Sequence, residues 1–320
     1  MNSAQGFHVV GLRSRERLPR GLRFSMLRLL ACVVSLLSSV VLSLAWASEP
    51  VSSNTRAPKA CDRPLYLTFD TGHMGVAPLI AQVLERHQVQ VTFFVADEPA
   101  QTGGSSLGQA WQPWWRERAL EGHQFASHTL DHVYWLADLP HNAGFRVKPS
   151  AGAHTGQVTH FTAAQYCQAL EGAAQRIEQF TGKPALALFR APGGKTSAQL
   201  IASARACGFD HVGWSDAGFL GDELPSQAFP NALLLKKALD RIRAGDILMA
   251  HLGIWSRQDP WAPAVLEPLV QGLLQQGFCF RTLEEHPRYR AWIAQHKRTP
   301  PTPSLNALPK SSTHLPQGSS

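Results

Sequence analysis

The sequence predicts an α/β fold, a barrel of parallel strands, and three observations carry that expectation. Short apolar runs alternate with stretches of helical spacing. The helical stretches are long enough to carry crossovers between parallel strands. Ionisable residues stand at the ends of the apolar runs, where a parallel barrel gathers its chemistry.

Taken in order, LYLTF (65–69) precedes the helical VAPLIAQVLERH, VQVTFFV (89–95) precedes a Trp-rich segment with WWRERALEG, and HQFASH (123–128) leads into a long loop. AAQYCQALEGAAQRIEQFTG has helical spacing and a glycine stop, ALALFRAP reads as a strand, SAQLIASARACG as a helix and FDHVGWS as a strand. ALLLKKALDRIRAG, DILMAHL, VLEPLVQGLLQQG and FCFRTL continue the alternation, and no internal repeat is present. Asp70 ends the first strand, His128 the third, Arg190 the fourth, Asp216 the fifth and His251 the sixth. A barrel would bring these five tips together.

The ends of the chain read differently. Residues 1–47 combine arginines at 13, 15, 17, 20, 23 and 28 with the apolar run LLACVVSLLSSVVLSLAWA and an A-x-A site at Ala45–Ala47, the pattern of a secretory signal peptide. Met26 opens a compact signal of its own and is an alternative start. An uncleaved membrane anchor facing the periplasm is the other reading, because the run is about long enough to span a bilayer. The cysteine of LLAC precedes the apolar run instead of following it, which argues against lipidation. Residues 48–60 read as a linker, 61–297 as the folded unit, and the Pro-, Ser- and Thr-rich 298–320 as a disordered tail.

Without the leader, which holds six of the 30 basic and one of the 23 acidic residues, the net charge falls from +7 to +2. No basic stripe remains, so nucleic acid is not an expected partner. The expected location is the periplasm or the cell exterior. Cys61, Cys167, Cys207 and Cys279 remain after processing. If the barrel closes, Cys61 and Cys279 become neighbours and Cys167 and Cys207 are left to pair; four buried thiols are the alternative.

The set of strand-tip residues resembles the polysaccharide deacetylase family, the NodB-homology fold also called carbohydrate esterase family 4, over residues 65–283. TFDTG at 68–72 is similar to the family's TFDDG, HTLDH at 128–132 to H-[ST]-x-x-H, Arg190–Pro192 in FRAPGG to R-x-P, and ILMAH at 247–251 to a hydrophobic strand ending in histidine. The fourth motif is degenerate: WSDAGFLGDELP offers Asp216 or Asp222, and Asp216 is preferred here as nearer the strand tip. The resemblance implies a distorted (β/α)7-type barrel in one catalytic domain. It implies a hydrolase of carbon–nitrogen, non-peptide bonds that removes acetyl groups from a polysaccharide or peptidoglycan, N-acetyl amides ahead of O-acetyl esters.

A divalent metal, expected to be Zn²⁺, would sit on His128 and His132, whose i, i+4 spacing can present two imidazoles to one ion. The resemblance puts a second acid at position 71, where this chain has Thr71, a poor ligand; His73 is the local candidate to replace it. Asp70 is the expected general base, Arg190 its orienting partner, His251 the general acid and Asp216 the acid that keeps His251 charged. A backbone N–H in the loop after Asp70 is expected to meet the oxyanion. Pro192 is a candidate substrate contact, and of the tryptophans that could stack on sugar rings, Trp111, Trp114, Trp115, Trp135, Trp255 and Trp261, the last two are the first choices, although large aromatics more often pack. Leu248 and Met249 read as core ahead of an acetyl pocket.

Two lookalikes fail. GSSLG at 104–108 lacks the strand-to-helix elbow of a serine nucleophile, and GGKT at 193–196 has Phe189 where a phosphate loop needs glycine. The rival to an enzyme is a glycan-binding barrel whose metal site was weakened at position 71.

Overall fold

The computed structural model describes residues 61–257 and 259–299. The expected signal peptide, the linker and most of the tail lie outside the described residues. Arg298, assigned to the tail, belongs to the fold: its guanidinium pairs with Glu171 and Glu178 at 2.6 Å each.

The seven expected strands are present as β1 (Pro64–Asp70), β2 (Thr92–Val95), β3 (Gln124–Ser127), β7 (Leu188–Phe189), β8 (Asp210–His211), β9 (Ile247–His251) and β10 (Cys279–Phe280). Three further strands, β4 (Val133–Asp138), β5 (Phe145–Pro149) and β6 (Thr159–Phe161), form a separate antiparallel sheet within the expected long loop. Helices α1 (Ala77–Arg86), α2 (Gln112–Leu120), α3 (Ala163–Thr181), α4 (Ala198–Ala206), α5 (Asn231–Arg241) and α6 (Leu266–Gln275) supply the crossovers, and α7 (Arg290–Gln295) follows the last strand. Local chemistry marks their ends. α3 starts in a reciprocal cap between Thr162 and Gln165 and stops at left-handed Gly182, while α4 starts on the Ser197 hydroxyl.

The main sheet is parallel and runs β10-β1-β2-β3-β7-β8, with β9 also on β1. β1 pairs with β9 along one edge, Tyr66 to Asp70 against Ile247 to His251, and divides the other edge between β10, through Pro64 and Leu65 against Cys279 and Phe280, and β2, through Thr68 to Asp70 against Thr92 to Phe94. Between β8 and β9 the circle is closed by irregular chain, through Ser215 N to Ile247 O (3.1 Å), Met249 N to Gly218 O (2.8 Å) and Leu220 N to Met249 O (3.2 Å). This is the distorted barrel that the alternation predicts.

Strand periodicity then decides which residues can meet. Leu65, Leu67 and Phe69 belong to the large core under the helices, whereas Tyr66 joins Phe94, Ala126, Leu188, Val212 and Ile247 in a second cluster. Because successive side chains alternate faces, Thr68 and Asp70 share the face of Tyr66, and Asp70 crowns the barrel interior. Thr68 spends its hydroxyl on Leu248 O at 2.6 Å. Leu248 and Met249 are core.

At that end the exits of β1 and β9 touch. A Cβ on Gly72 would lie 2.1 Å from Gly253 O, so only glycine permits the approach. Both cysteine pairs are disulfides, Cys61–Cys279 across the starts of β1 and β10 and Cys167–Cys207 between α3 and the end of α4.

Candidate active site

The site grows from the register of β1 against β9, which sets Asp70 directly opposite His251. Arg190, fully buried at the end of β7, donates to Asp70 Oδ1 at 2.7 Å and to Val212 O and Gly213 O, with its guanidinium 4.1 Å above the Phe94 ring. Burial pushes the Asp70 carboxyl up, but the charges of Arg190, His128 and His251 together outweigh it and hold the group below its ordinary value. Asp70 is therefore an anion with a fixed orientation.

His128 lies on the other side of that carboxylate, Nε2 at 3.6 Å from Asp70 Oδ2, while its Nδ1 is 2.8 Å from Arg190 O. His132 follows with ring centroids 4.9 Å apart. The two histidines stand on a tight turn in which Thr129 and His132 take left-handed φ of 62° and 48°. For a β-branched residue this conformation is costly, and the turn is held against it: Thr129 Oγ1 accepts from Val133 N (2.7 Å) and Leu130 N donates to Ala169 O (2.7 Å). The antiparallel sheet braces the same turn, since Ser150 at the end of β5 puts its hydroxyl 2.5 Å from His132 Nδ1.

Burial lowers the pKa of His128 against the pull of Asp70, and burial with the charges of His128 and His251 takes His132 well below the ordinary value. Two neutral imidazoles, each with its Nδ1 held by a protein oxygen, are the form and orientation that ligate a divalent cation. In chemistry these residues fit one. Among the described residues no three His, Cys, Asp or Glu side chains are already gathered as a complete ligand set.

Two expectations are corrected. Asp216 is exposed in a turn and does not reach His251. Asp222 does: its carboxylate accepts the backbone N–H of His251 at 2.6 Å and lies 3.1 Å from Nδ1. Burial alone would lower His251, but the Asp222 charge and hydrogen bond, helped by Asp70, raise it to about 9. Nor does His73 join the histidine pair. Its Nδ1 accepts Gly75 N–H at 2.9 Å and its ring packs edge-on to Trp255 at 4.9 Å.

Thr71, the first residue past β1, is buried, and its hydroxyl accepts Ala96 N–H (3.0 Å) and donates to Glu98 Oε2 (2.8 Å). Glu98 is the site residue the sequence reading missed. It lies three residues past the end of β2 in FVADEP, behind Asp97, so a rule that takes the ionisable residue nearest the strand tip selects Asp97 ahead of it. Burial and the nearby Asp70 charge raise its pKa against the Thr71 hydrogen bond and the His251 charge.

Of the three amides after Asp70, Thr71 N donates to Phe94 O and His73 N to Gly253 O, which leaves that of Gly72. A cavity of about 320 Å³ opens beside His251, walled by His73, Gln101, Asp222, Ile254, Arg257 and Trp261. Trp255 is 66% exposed, whereas Trp261 at 3% is wall and offers no stacking face. Pro192 is buried in the turn after Arg190, and Trp115 is core.

The chain is similar to proteins of known sequence and structure. Residues 57–212 match the polysaccharide deacetylase family. The chitooligosaccharide deacetylase of Azorhizobium caulinodans is 27% identical over 229 residues, covering 68% of this chain and 92% of that protein. The peptidoglycan-N-acetylmuramic acid deacetylase of Bacillus subtilis is 23% identical over 237 residues, 70% and 71% of the two chains. In fold, the family 4 acetyl xylan esterase of Clostridium thermocellum, solved with a cobalt ion, superposes with a TM-score of 0.53 at 17% identity over 74% of this chain and 97% of that one.

Proposed function

We propose, from the premise that this chain belongs to the polysaccharide deacetylase family and is a hydrolase of N-acetyl amide bonds, that it is an exported, divalent-metal-dependent enzyme acting on a chito-oligosaccharide or peptidoglycan-type glycan. One observation carries the reading: an ionised Asp70 and a protonated His251 face each other in register on β1 and β9, with the two neutral imidazoles beside the anion. Base, acid and ligand-type residues meet at one end of the barrel. Enzymes of this family depend on metal in general; zinc is the ion we expect here.

His128 and His132 would hold the cation. When bound, it would polarise the acetyl carbonyl and make water acidic near neutral pH. Asp70 accepts a proton from the attacking water, and Arg190 keeps that carboxylate aimed and ionised. His251 donates its proton to the amine as the carbon–nitrogen bond breaks, yielding acetate and a free amino sugar, and Asp222 holds the imidazolium in place. The Gly72 amide is the donor available to the developing oxyanion. Trp255, exposed beside the cavity, offers a face for a sugar ring.

Export is supported by the arginine-rich leader with its apolar run and by two disulfides, which persist in oxidising compartments. Thr71 favours one rival, a glycan-binding barrel without chemistry. Acetate release from a panel of N-acetylated glycans, measured with the metal content of the same sample, separates the two. The enzyme loses activity with chelator and in Asp70→Asn, whereas a binder releases no acetate and keeps its glycan affinity through both changes.

A further inference from the structure

Thr71 cannot carry a negative charge, yet its hydroxyl is not idle. It is fixed by the Ala96 amide and in turn donates to Glu98 Oε2. The other oxygen, Oε1, is 3.6 Å from His132 Nδ1, too long for a hydrogen bond. Among the described residues His132 is the sole ion-pair partner of Glu98, and no lysine or arginine stands against it. The Glu98 side chain is only 17% exposed. A carboxylate drawn this far out of water with no cation in contact costs stability, and holding Thr71 does not require the charge, because a neutral glutamine accepts the same hydrogen bond.

We propose that Glu98 is the anionic ligand of the cation site on His128 and His132, and that the Thr71 hydroxyl holds it for that task. This rests on reading the two histidines as ligands. The acid then arrives from the tip of β2 instead of β1. Neighbouring strands lie about 4.8 Å apart, and the longer side chain of glutamate spans that step where an aspartate on β1 would not need to. Thr71 is thereby a positioning residue: it exchanges a charge on its own strand for a hydrogen bond that aims the charge next door.

The test is cobalt titration of the metal-stripped protein, read by the visible d–d bands of Co²⁺ and by calorimetry with Zn²⁺. Glu98→Gln, which keeps the bond to Thr71, should raise Kd by at least about 100-fold, since even partners outside the ligand shell cost 10–100-fold. Adding Thr71→Asp to Glu98→Gln should restore tight binding. Metal-free Glu98→Gln should melt no lower than the metal-free wild type, because it removes a buried charge and nothing else. Unchanged Kd and spectrum in Glu98→Gln, or a lower melting temperature of its metal-free form with unchanged Kd, would overturn the role of Glu98 while leaving the deacetylase reading intact. A wild-type protein that binds neither ion at millimolar concentration would overturn both.

Discussion

Asp222→Asn should take the proton from His251 across the alkaline half of the working range while leaving the ring in place. Asparagine keeps the shape and one acceptor for the His251 amide, but it lacks the charge that, against the opposing effect of burial, lifts the imidazole to about 9. Without that charge the ring falls back toward its ordinary pKa of about 6.5, since burial then opposes only the lesser pull of Asp70 and Glu223. At about pH 8 a group of pKa about 9 is roughly 90% protonated and one of about 6.5 roughly 3%, so kcat should fall about 30-fold; near pH 6 the two enzymes should differ by less than twofold. The assay is acetate release from an N-acetylated chito-oligosaccharide at saturation, followed from acid to alkaline pH, with Asp216→Asn as the comparison that should track the wild type. The same pair carries a stability signature. The folded pKa of His251 exceeds the unfolded one, so the contribution is whole below about pH 6.5 and is lost as the pH rises through about 9; 2.5 units correspond to about 3 kcal/mol. Metal-free wild type should lose melting temperature over that window and Asp222→Asn should not. An alkaline limb that Asp222→Asn leaves unmoved, or that Asp216→Asn shifts, would refute the assignment of Asp222 as the partner of the acid.

Asp70→Asn should lower acetate release by about 10²–10⁴ and, by leaving the fully buried Arg190 without its anion, destabilise the fold by about 3 kcal/mol, read in thermal melts; wild-type rates in this variant would exclude Asp70 as base. Cys61→Ser should cost about 2–4 kcal/mol in urea unfolding, since the bridge closes a separation of 218 residues, with kcat unchanged because the bridge joins strand starts and the site occupies strand ends. Trp255→Ala should raise KM for oligosaccharides roughly 2- to 10-fold with kcat and melting temperature unchanged, as its exposure implies; an unchanged KM would remove it from the glycan path.

The barrel was legible because its strands are buried on both faces and therefore appear as continuous apolar runs bounded by helical periodicity. The antiparallel sheet was not. In VYWLAD and FRVKP the burial is partial and the outward positions carry Arg146 and Lys148, so the segment has neither a long apolar run nor a helical period. Its pairing depends on contacts between chain stretches separated by a turn at 139–144, and sequence spacing does not reveal them. That sheet matters to the chemistry, since it delivers Ser150 to His132.

The gathering of these side chains was legible where a residue stands at its own strand tip and illegible where the chain doubles back. Asp70, His128, Arg190 and His251 follow from position alone, because parallel strands converge their ends. Asp216 was the nearer acid along the sequence, but residues 215–220 run beside β9 and close the barrel, which carries the chain past Asp216 and delivers Asp222 to the end of β9, where His251 lies. Proximity in sequence and proximity to the acid diverge over six residues for that reason. Position 71 shows the same divergence across strands: along the sequence the nearest substitute for the missing acid is His73, two residues on, whereas the Thr71 hydroxyl bonds Ala96 and Glu98 in the chain leaving β2. Where one strand of a parallel barrel lacks a group, the place to look is the chain leaving the adjacent strand, which hydrogen bonding holds alongside.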